Sequence, residues 1–296
     1  MVETPKKIAP YVFISPFIIL FAVFGLFPIL YSITISFFKW TIAGPQDFRG
    51  FQNYITLLTS DPFFKGSLRT TFLLLVFGSL TQHVFAIPLA IILNNQAVKG
   101  RSFLKVLYFL PYITSTVVIA LVFNQLYEQN YGWLNYILSN WLNLPKVNWV
   151  KDPKAILASI SIMVNWRFIG WNTVIYLAGL QSIDKALYEA ADIDGAVGFR
   201  KHWHITVPLL LPIIFFAVTL SIIGGMQLFE EPFVLMRGYE QMGGPSNAGL
   251  TSAYYLLATG FHFNRFGKAS AIAWILFVII LLMTWLNKVI TDRLQR

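Results

Sequence analysis

The sequence predicts an all-α integral membrane protein with six transmembrane helices. Of its 296 residues, 56% are apolar and only 12% are charged, whereas about a quarter of the residues of soluble domains are charged. Six predominantly apolar runs are each long enough to cross a bilayer core of about 30 Å as a helix. Long continuous runs do not match the short alternating segments of a membrane barrel. The runs cover residues 11–38, 70–93, 103–127, 155–180, 209–229 and 269–290.

The first run follows Lys6 and Lys7, as the core of a secretion signal would. It is much longer than such a core, and no small-residue cleavage site is evident, so we expect a retained first span. The first three runs also contain prolines that predict kinks or frayed helix ends. These are Pro16, Pro28, Pro88 and Pro111.

The basic residues predict the orientation. Short cytoplasmic loops are enriched in Lys and Arg, and their density favours cytoplasmic termini and a cytoplasmic segment 182–208. The outer loops 39–69, 128–154 and 230–268 are too short for separate domains, so residues 1–296 are expected to form a single transmembrane domain. The net charge of +9 is attributed to contact with anionic lipid and not with nucleic acid, because the basic residues flank apolar runs and form no stripe.

The segment 182–208 is a polar island between two apolar runs, so it must have a partner outside the bilayer. Asp184 can act as a helix N-cap, and the good helix formers after it predict a short surface helix that stops near Gly195 or Gly198. The expected apolar face consists of Leu187, Ala190 and Ala191, and the expected acceptors for a partner's basic residues are Glu189, Asp192 and Asp194.

Three groups in this segment carry a family resemblance: Glu189-Ala190-Ala191, Asp194-Gly195-Ala196 and Ile205-Thr206-Val207-Pro208. They resemble the cytoplasmic coupling loop, or EAA loop, of the membrane subunits of ATP-binding-cassette importers. Asp184 stands where that family usually has proline, and His202 where it has an aromatic residue. The resemblance implies an EAA-type coupling helix that contacts an ATPase through Glu189, Ala190, Ala191, Asp194, Gly195, Ala196, Phe199, Ile205 and Pro208.

Other segments, in the expected order along most of the chain, resemble the carbohydrate branch of that family, the maltose or lactose type. They are Pro16-Phe17, Pro28-Ile29-Leu30-Tyr31-Ser32, Phe51-Gln52-Asn53-Tyr54, Phe109-Leu110-Pro111 and Gly243-Gly244-Pro245. The resemblance implies a binding-protein-dependent permease subunit in the cytoplasmic (inner) membrane of a bacterium or archaeon. Such a subunit forms half of the translocation path for a sugar, here an oligosaccharide, and works by alternating access. The implied partners are a second homologous permease subunit, an ATPase dimer that uses ATP and Mg²⁺, an extracytoplasmic sugar-binding protein and the lipid bilayer.

Polar residues inside a span are costly, so they are expected to face a cavity or another helix. Aromatic rings can pack on the C–H face of a sugar, while amides and charges can bond its hydroxyls. The candidate sugar contacts in the fourth and fifth runs are Asn165, Trp166, Arg167, Trp171, Asn172, Gln227, Phe229 and Glu230. The alternative is that the tryptophans pack between helices or at the interface and that Arg167 pairs with an acid of a partner subunit.

Catalytic and metal-binding patterns are missing. Gly260 to Lys268 resembles a phosphate-binding loop, but six residues separate Gly260 from Gly267 where the motif has four. Four histidines and no cysteine give no zinc pattern. We therefore expect a non-catalytic subunit that binds no cofactor itself.

Two alternative functions stay open. The same importer architecture could carry another solute, such as a polyamine or glycerol-3-phosphate, and a phosphate ester would favour the surroundings of Arg167. A stand-alone ion-coupled transporter would need inverted repeats and paired carboxylates within the spans, but the predicted spans contain no Asp or Glu well inside them.

Overall fold

The computed structural model describes residues 4–193, 195–196 and 198–294, which are mainly helical. The α-helices are α1 Thr4–Phe21, α2 Phe27–Ser36, α3 Gln52–Thr59, α4 Pro62–Leu74, α5 Thr81–Asn94, α6 Arg101–Ile113, α7 Thr116–Leu126, α8 Trp133–Asn140, α9 Ile156–Gln181, α10 Lys185–Ile193, α11 Gly198–Lys201, α12 Val207–Met226, α13 Glu230–Leu235, α14 Ser252–Leu257 and α15 Phe266–Leu294. Strands β1 Phe38–Thr41 and β2 Gly44–Phe48 form an antiparallel hairpin. The π-helical turns are Ala22–Leu26, Leu75–Leu80, His202–Thr206 and Ala258–His262, and the 3₁₀ turns are Gly238–Gln241 and Pro245–Asn247.

The chain divides into two compact units, and the first comprises Met1–Asp61 and Leu256–Ile275. At the start of α15, a Cβ on Gly267 would lie 2.0 Å from the carbonyl oxygen of Phe38. Only glycine permits this approach of α15 to the hairpin. Lys268, the next residue, forms an ion pair with Asp61, which joins α15 to the end of the first outer segment.

The second unit comprises Pro62–Tyr255 and Leu276–Arg296, and α9 is its central helix. Helices α4, α5, α6 and α12 all contact α9. One apolar cluster surrounds the first half of α9 at Ile160 and Met163, and another surrounds its last turns at Tyr176 and Leu177. The middle of α9, where its polar residues lie, falls between the two clusters.

The backbones of α6 and α9 are in close contact at Gly170. A Cβ added at this position would lie 1.7 Å from the carbonyl oxygen of Tyr108. The helices must therefore move apart in Gly170→Ala. We expect the free energy of unfolding to fall by about 1–3 kcal/mol, the usual cost of overpacking, in thermal unfolding of the purified protein in detergent. Gly66→Ala in α4 is the matched control, because no atom lies within 4 Å of its added Cβ. An equal effect of the two substitutions would contradict the importance of this contact.

Within the described residues, four helical segments are long and apolar enough to cross a membrane: Pro10–Ser36, Pro62–Asn94, His202–Met226 and Phe266–Leu294. The pair Arg101–Ile113 and Thr116–Leu126 makes a fifth if it is one span. Helix α9 has the length of a span at 26 residues, but the polar residues in its middle lower its apolarity. The all-α membrane fold is confirmed, whereas the count of six transmembrane helices is not.

The third predicted run, 103–127, is not one continuous helix. Helices α6 and α7 meet at an angle of 98°, and the two residues between them, Thr114 and Ser115, have extended backbones. Pro111 lies just before this elbow and has no N–H to continue the helical hydrogen bonds. The hydroxyl of Thr114 bonds back to the carbonyl oxygen of Leu110 at 2.8 Å, which satisfies one group at the break.

The second span begins earlier than its apolar run. Lys65 and Arg69 interrupt the apolar sequence before residue 70, yet α4 starts at Pro62. Phe64, Ser67 and Thr71 lie on one buried face of α4, so packing extends the helix beyond the apolar run.

Candidate functional site

A cavity of about 620 Å³ lies beside the middle of α9. Its walls come from α9, from Leu75–Leu80 with the start of α5, from α6, and from the end of α12 with α13. The candidate sugar contacts that line it are Arg167, Trp171, Asn172, Gln227, Phe229 and Glu230. Two separate runs of the sequence therefore meet at one cavity.

Asn165 and Trp166 do not line this cavity. The residues of α9 that line the cavity follow the helical period, and residues 165 and 166 point away from it. The lining residues are Val164, Arg167, Phe168, Trp171 and Asn172. Asn165 donates its amide hydrogens to the carbonyl oxygens of Phe77 and Ser161, each at 2.8 Å. Trp166 is 47% exposed and packs edge-on against Phe123.

One wall is aromatic. The rings of Tyr112 and Trp171 are stacked, with centroids 4.4 Å apart and planes at 18°, and the ring of Phe109 contacts both, with its centroid 5.6 Å from Tyr112 and 6.2 Å from Trp171. Tyr112 was not among the predicted sugar contacts. It lies three residues after Phe109 in the third run, and this spacing, which places both rings on one helix face, could have indicated it.

Two buried charged groups of the cavity, Arg167 and Glu231, are paired within the chain. Arg167 forms an ion pair with Glu231 at 2.5 Å, and their side chains are only 13% and 5% exposed. The partner of Arg167 is therefore in this chain, contrary to the alternative of an acid on a partner subunit. Glu230 accepts a hydrogen bond from the hydroxyl of Thr116 at 2.7 Å. Burial raises the pKa of Glu231, and the neighbouring Arg167 acts in the opposite direction.

The amide groups of the cavity also form a fixed arrangement. Asn172 donates to the side-chain oxygen of Gln82 at 2.7 Å, and Gln82 donates to the carbonyl oxygen of Gly78 at 2.8 Å. Both side chains are almost completely buried. The cavity thus combines an aromatic platform, oriented amides and paired charges, a set of groups that can bond a polyhydroxyl solute.

The polar segment between α9 and α12 forms a surface helix followed by a turn. The side chain of Asp184 accepts a hydrogen bond from the N–H of Ala186 at 3.0 Å, which confirms the predicted N-cap. Helix α10 ends at Ile193, and Gly195 has a φ of +78°. The N–H of Gly195 donates to the carbonyl oxygen of Asp192 at 3.2 Å, so the chain turns at the first of the two predicted glycines.

Helix α10 presents an apolar face that the rest of the described chain does not cover. Leu187 is 47% exposed and Ile193 88% exposed, and Glu189 and Ala190 are exposed beside them. Ala191, expected on that face, is instead buried against its own chain. Asp194 and the side chain of Phe199 lie outside what the structure describes.

The surface helix is tied to the segment that leads into α12. Lys201 forms an ion pair with Asp192 at 2.7 Å and lies over the ring of Tyr188 at 5.3 Å. The hydroxyls of Tyr188 and Thr206 are 3.1 Å apart and hydrogen-bonded. Of the remaining coupling candidates, Ala196 donates to Ala191 at 2.9 Å, Ile205 lies in the π-helical turn and Pro208 in the first turn of α12.

Comparisons with known proteins identify relatives of this chain. Residues 86–296 match the family described as "Binding-protein-dependent transport system inner membrane component". The arabinooligosaccharides transport system permease protein AraP of Bacillus subtilis (strain 168) is 37% identical over 283 residues, which are 95% of this chain and 88% of AraP. The lactose transport system permease protein LacF of Rhizobium radiobacter is 31% identical over 279 residues, which are 94% of this chain and 92% of LacF.

A solved structure has the same fold. It is the crystal structure of a bacterial alginate ABC transporter in complex with an alginate pentasaccharide-bound periplasmic protein. One of its chains matches with a TM-score of 0.83 at 23% identity, and the match covers 98% of each chain.

Proposed function

Because this chain belongs to the family of binding-protein-dependent transport system inner membrane components, we propose that it is the membrane subunit of an ATP-driven importer and forms half of the path for an oligosaccharide. It is a multi-pass membrane protein. The observation that carries the choice of solute is the cavity beside α9, where the stacked Tyr112 and Trp171 lie next to oriented amides. The permease relatives named for arabinooligosaccharides and for lactose support a sugar.

The charges of the cavity favour a neutral sugar over a phosphate ester. Among the described residues that line this cavity, Arg167 is the cationic one, and its ion pair with Glu231 already neutralises it. Glu230 adds a second carboxylate, so the described lining carries one net negative charge. An anionic solute would meet repulsion there, whereas hydroxyls can bond the amides without a charge.

The complete importer would contain further subunits. Two membrane subunits, two ATPase subunits that use ATP and Mg²⁺, and an external sugar-binding protein would make the complete importer. The density of basic residues supports cytoplasmic termini in a bacterial or archaeal inner membrane, which puts α10 on the ATPase side. ATPase closure would press on α10 through Glu189, Ala190 and the neighbouring coupling candidates, and the spans would alternate between outward and inward cavities.

Trp171→Ala tests the sugar path. We expect uptake at sugar concentrations below saturation to fall about tenfold, because loss of an aromatic contact worth about 1.4 kcal/mol weakens sugar binding about tenfold. Radiolabelled oligosaccharide uptake by cells with the native chain replaced provides the measurement. Trp166→Ala is the matched control and should keep normal uptake, since Trp166 lies off the cavity. Similar losses in the two variants would remove the cavity from the proposed path.

Isolation from native membranes tests the class of transporter. The tagged chain should co-purify in mild detergent with an ATPase and a second polytopic subunit, identified by mass spectrometry. In proteoliposomes of that complex, uptake should require ATP and should persist when a protonophore collapses the ion gradient. A chain that purifies alone and loses uptake with the protonophore would instead be an ion-coupled transporter.

A further inference from the structure

A second, apolar groove lies on the surface of the second unit, and its lining shares no residue with that of the polar cavity. Its volume is about 400 Å³, and it runs between α12 and the second half of α15. Phe277, Leu281 and Trp285 of α15 line it and are 53%, 53% and 61% exposed. Because large rings and aliphatic chains are exposed along it, the groove is open to the surroundings of the spans.

The groove has the length of one leaflet. The lining residues of α15 form a single helical stripe from Phe277 to Lys288, and at about 1.5 Å per residue this stripe is about 16 Å long. Half of a bilayer core is about 15 Å. Phe277 lies near the middle of α15, and Lys288 lies near its end. An acyl chain of one leaflet would therefore fit alongside the stripe.

The end of the groove is polar and positively charged. The hydroxyl of Thr284 is buried and makes no hydrogen bond to any residue that the structure describes. Lys288, one turn further on the same face, is exposed and is in no ion pair within the described part of the chain. Asp292 and Arg293 follow and cancel each other, so one positive charge remains. An unpartnered donor and an ammonium group together suit a phosphate.

The groove is also fixed in shape. The amide of Asn287 donates to the carbonyl oxygen of Phe215 at 3.2 Å and to the hydroxyl of Thr219 at 3.0 Å. These bonds join α15 to α12 beside the groove, and Phe215 forms part of its wall. A preformed groove binds with less loss of conformational freedom than one that must open.

We propose that this groove binds one anionic phospholipid, with an acyl chain along Phe277 and Leu281 and the phosphate at Lys288 and Thr284. The inference does not depend on the transported solute. Trp285 stands at the level of the head group, where tryptophan is enriched in membrane proteins. The positive end attracts anionic in preference to zwitterionic lipid.

Native mass spectrometry of the purified, delipidated importer complex with added lipid tests this site. The unchanged complex should retain phosphatidylglycerol at concentrations where phosphatidylcholine is lost. Lys288→Glu should weaken phosphatidylglycerol retention at least about fivefold, since one basic residue near the surface contributes on this scale. Leu281→Trp, which fills the groove without changing charge, should reduce retention of both lipids. Lys151→Glu, a charge reversal in an outer segment, serves as the control and should change neither.

Equal retention of both lipids, together with no effect of Lys288→Glu, would overturn the proposal. A second measurement separates lipid from a protein partner in this groove. The chain has no cysteine, so Leu281→Cys can be labelled uniquely with a photoreactive maleimide in native membranes. Adducts with phospholipid mass would support the proposal, and adducts with another protein chain would refute it.

Discussion

Glu231→Ala is expected to destabilise the protein by roughly 3–5 kcal/mol, the cost of breaking a buried ion pair from one side, and to abolish transport. The substitution leaves Arg167 buried beside the cavity without a carboxylate, and a guanidinium cannot lose its proton to escape the charge. No other hydrogen bond of the Arg167 Nε would offset the loss of Glu231, because this Nε has no partner among the described residues. Thermal unfolding in detergent and sugar uptake would measure the two effects.

Arg167→Ala is expected to be milder, because Glu231 can become neutral by binding a proton. Burial already raises the pKa of Glu231, and loss of Arg167 raises it further. A carboxyl group with a higher pKa in the folded than in the unfolded protein stabilises the fold at low pH and loses that effect as pH rises through the folded pKa. Arg167→Ala should therefore gain stability when the pH is lowered from about 8 to about 5, and Glu231→Ala should not. Identical pH responses would contradict this account.

Gly195→Pro is expected to stop sugar uptake while the chain stays in the membrane. Proline cannot adopt the φ of +78° found at Gly195 and lacks the N–H that Gly195 donates to the carbonyl oxygen of Asp192. The turn after α10 would be rebuilt, and the exposed face of Leu187 and Ile193 would be displaced from an ATPase partner. Uptake in whole cells and the amount of chain in the membrane fraction would be measured together.

Two further substitutions separate docking from folding at this loop. Gly195→Ala keeps the N–H and costs only backbone strain of the order of 1 kcal/mol, so we expect most of the uptake to remain. Glu189→Lys changes an exposed charge without altering the turn and should abolish uptake by disturbing ATPase contact. Normal uptake in Gly195→Pro or Glu189→Lys would count against the proposed coupling role.

Local sequence was sufficient where a single helix or turn decides the outcome. Asp184 caps the N-terminus of α10, and Gly195 forms the turn after this helix, as expected. Both outcomes follow from the residue itself, because N-capping and a left-handed backbone depend on residue type. Polar residues in the fourth and fifth runs were expected to face a cavity or another helix, because burial of polar groups within spans is costly. Arg167, Asn172 and Gln227 line one cavity.

Features that depend on tertiary contacts did not follow from the sequence. The elbow at Thr114 and Ser115 interrupts the third apolar run, which was predicted as one span from its composition. Glu231 was not predicted as the partner of Arg167, because the fold brings together residues that are 64 positions apart. Asn165 was predicted as a sugar contact because of its polarity, but its position on α9 places its amide against the carbonyl oxygen of Phe77.

The hydroxyl pair of Tyr188 and Thr206 has a mechanical consequence. Thr206 is the last residue before α12, which continues for 20 residues, or about 30 Å, and ends just before Gln227. Helix α12 thus connects the surface loop to the cavity wall. Pro208 and Pro212 lie near its first turns, where the helix lacks backbone hydrogen bonds and can bend. If an ATPase presses on α10 as proposed, the displacement would be passed along α12 to Gln227 at the cavity.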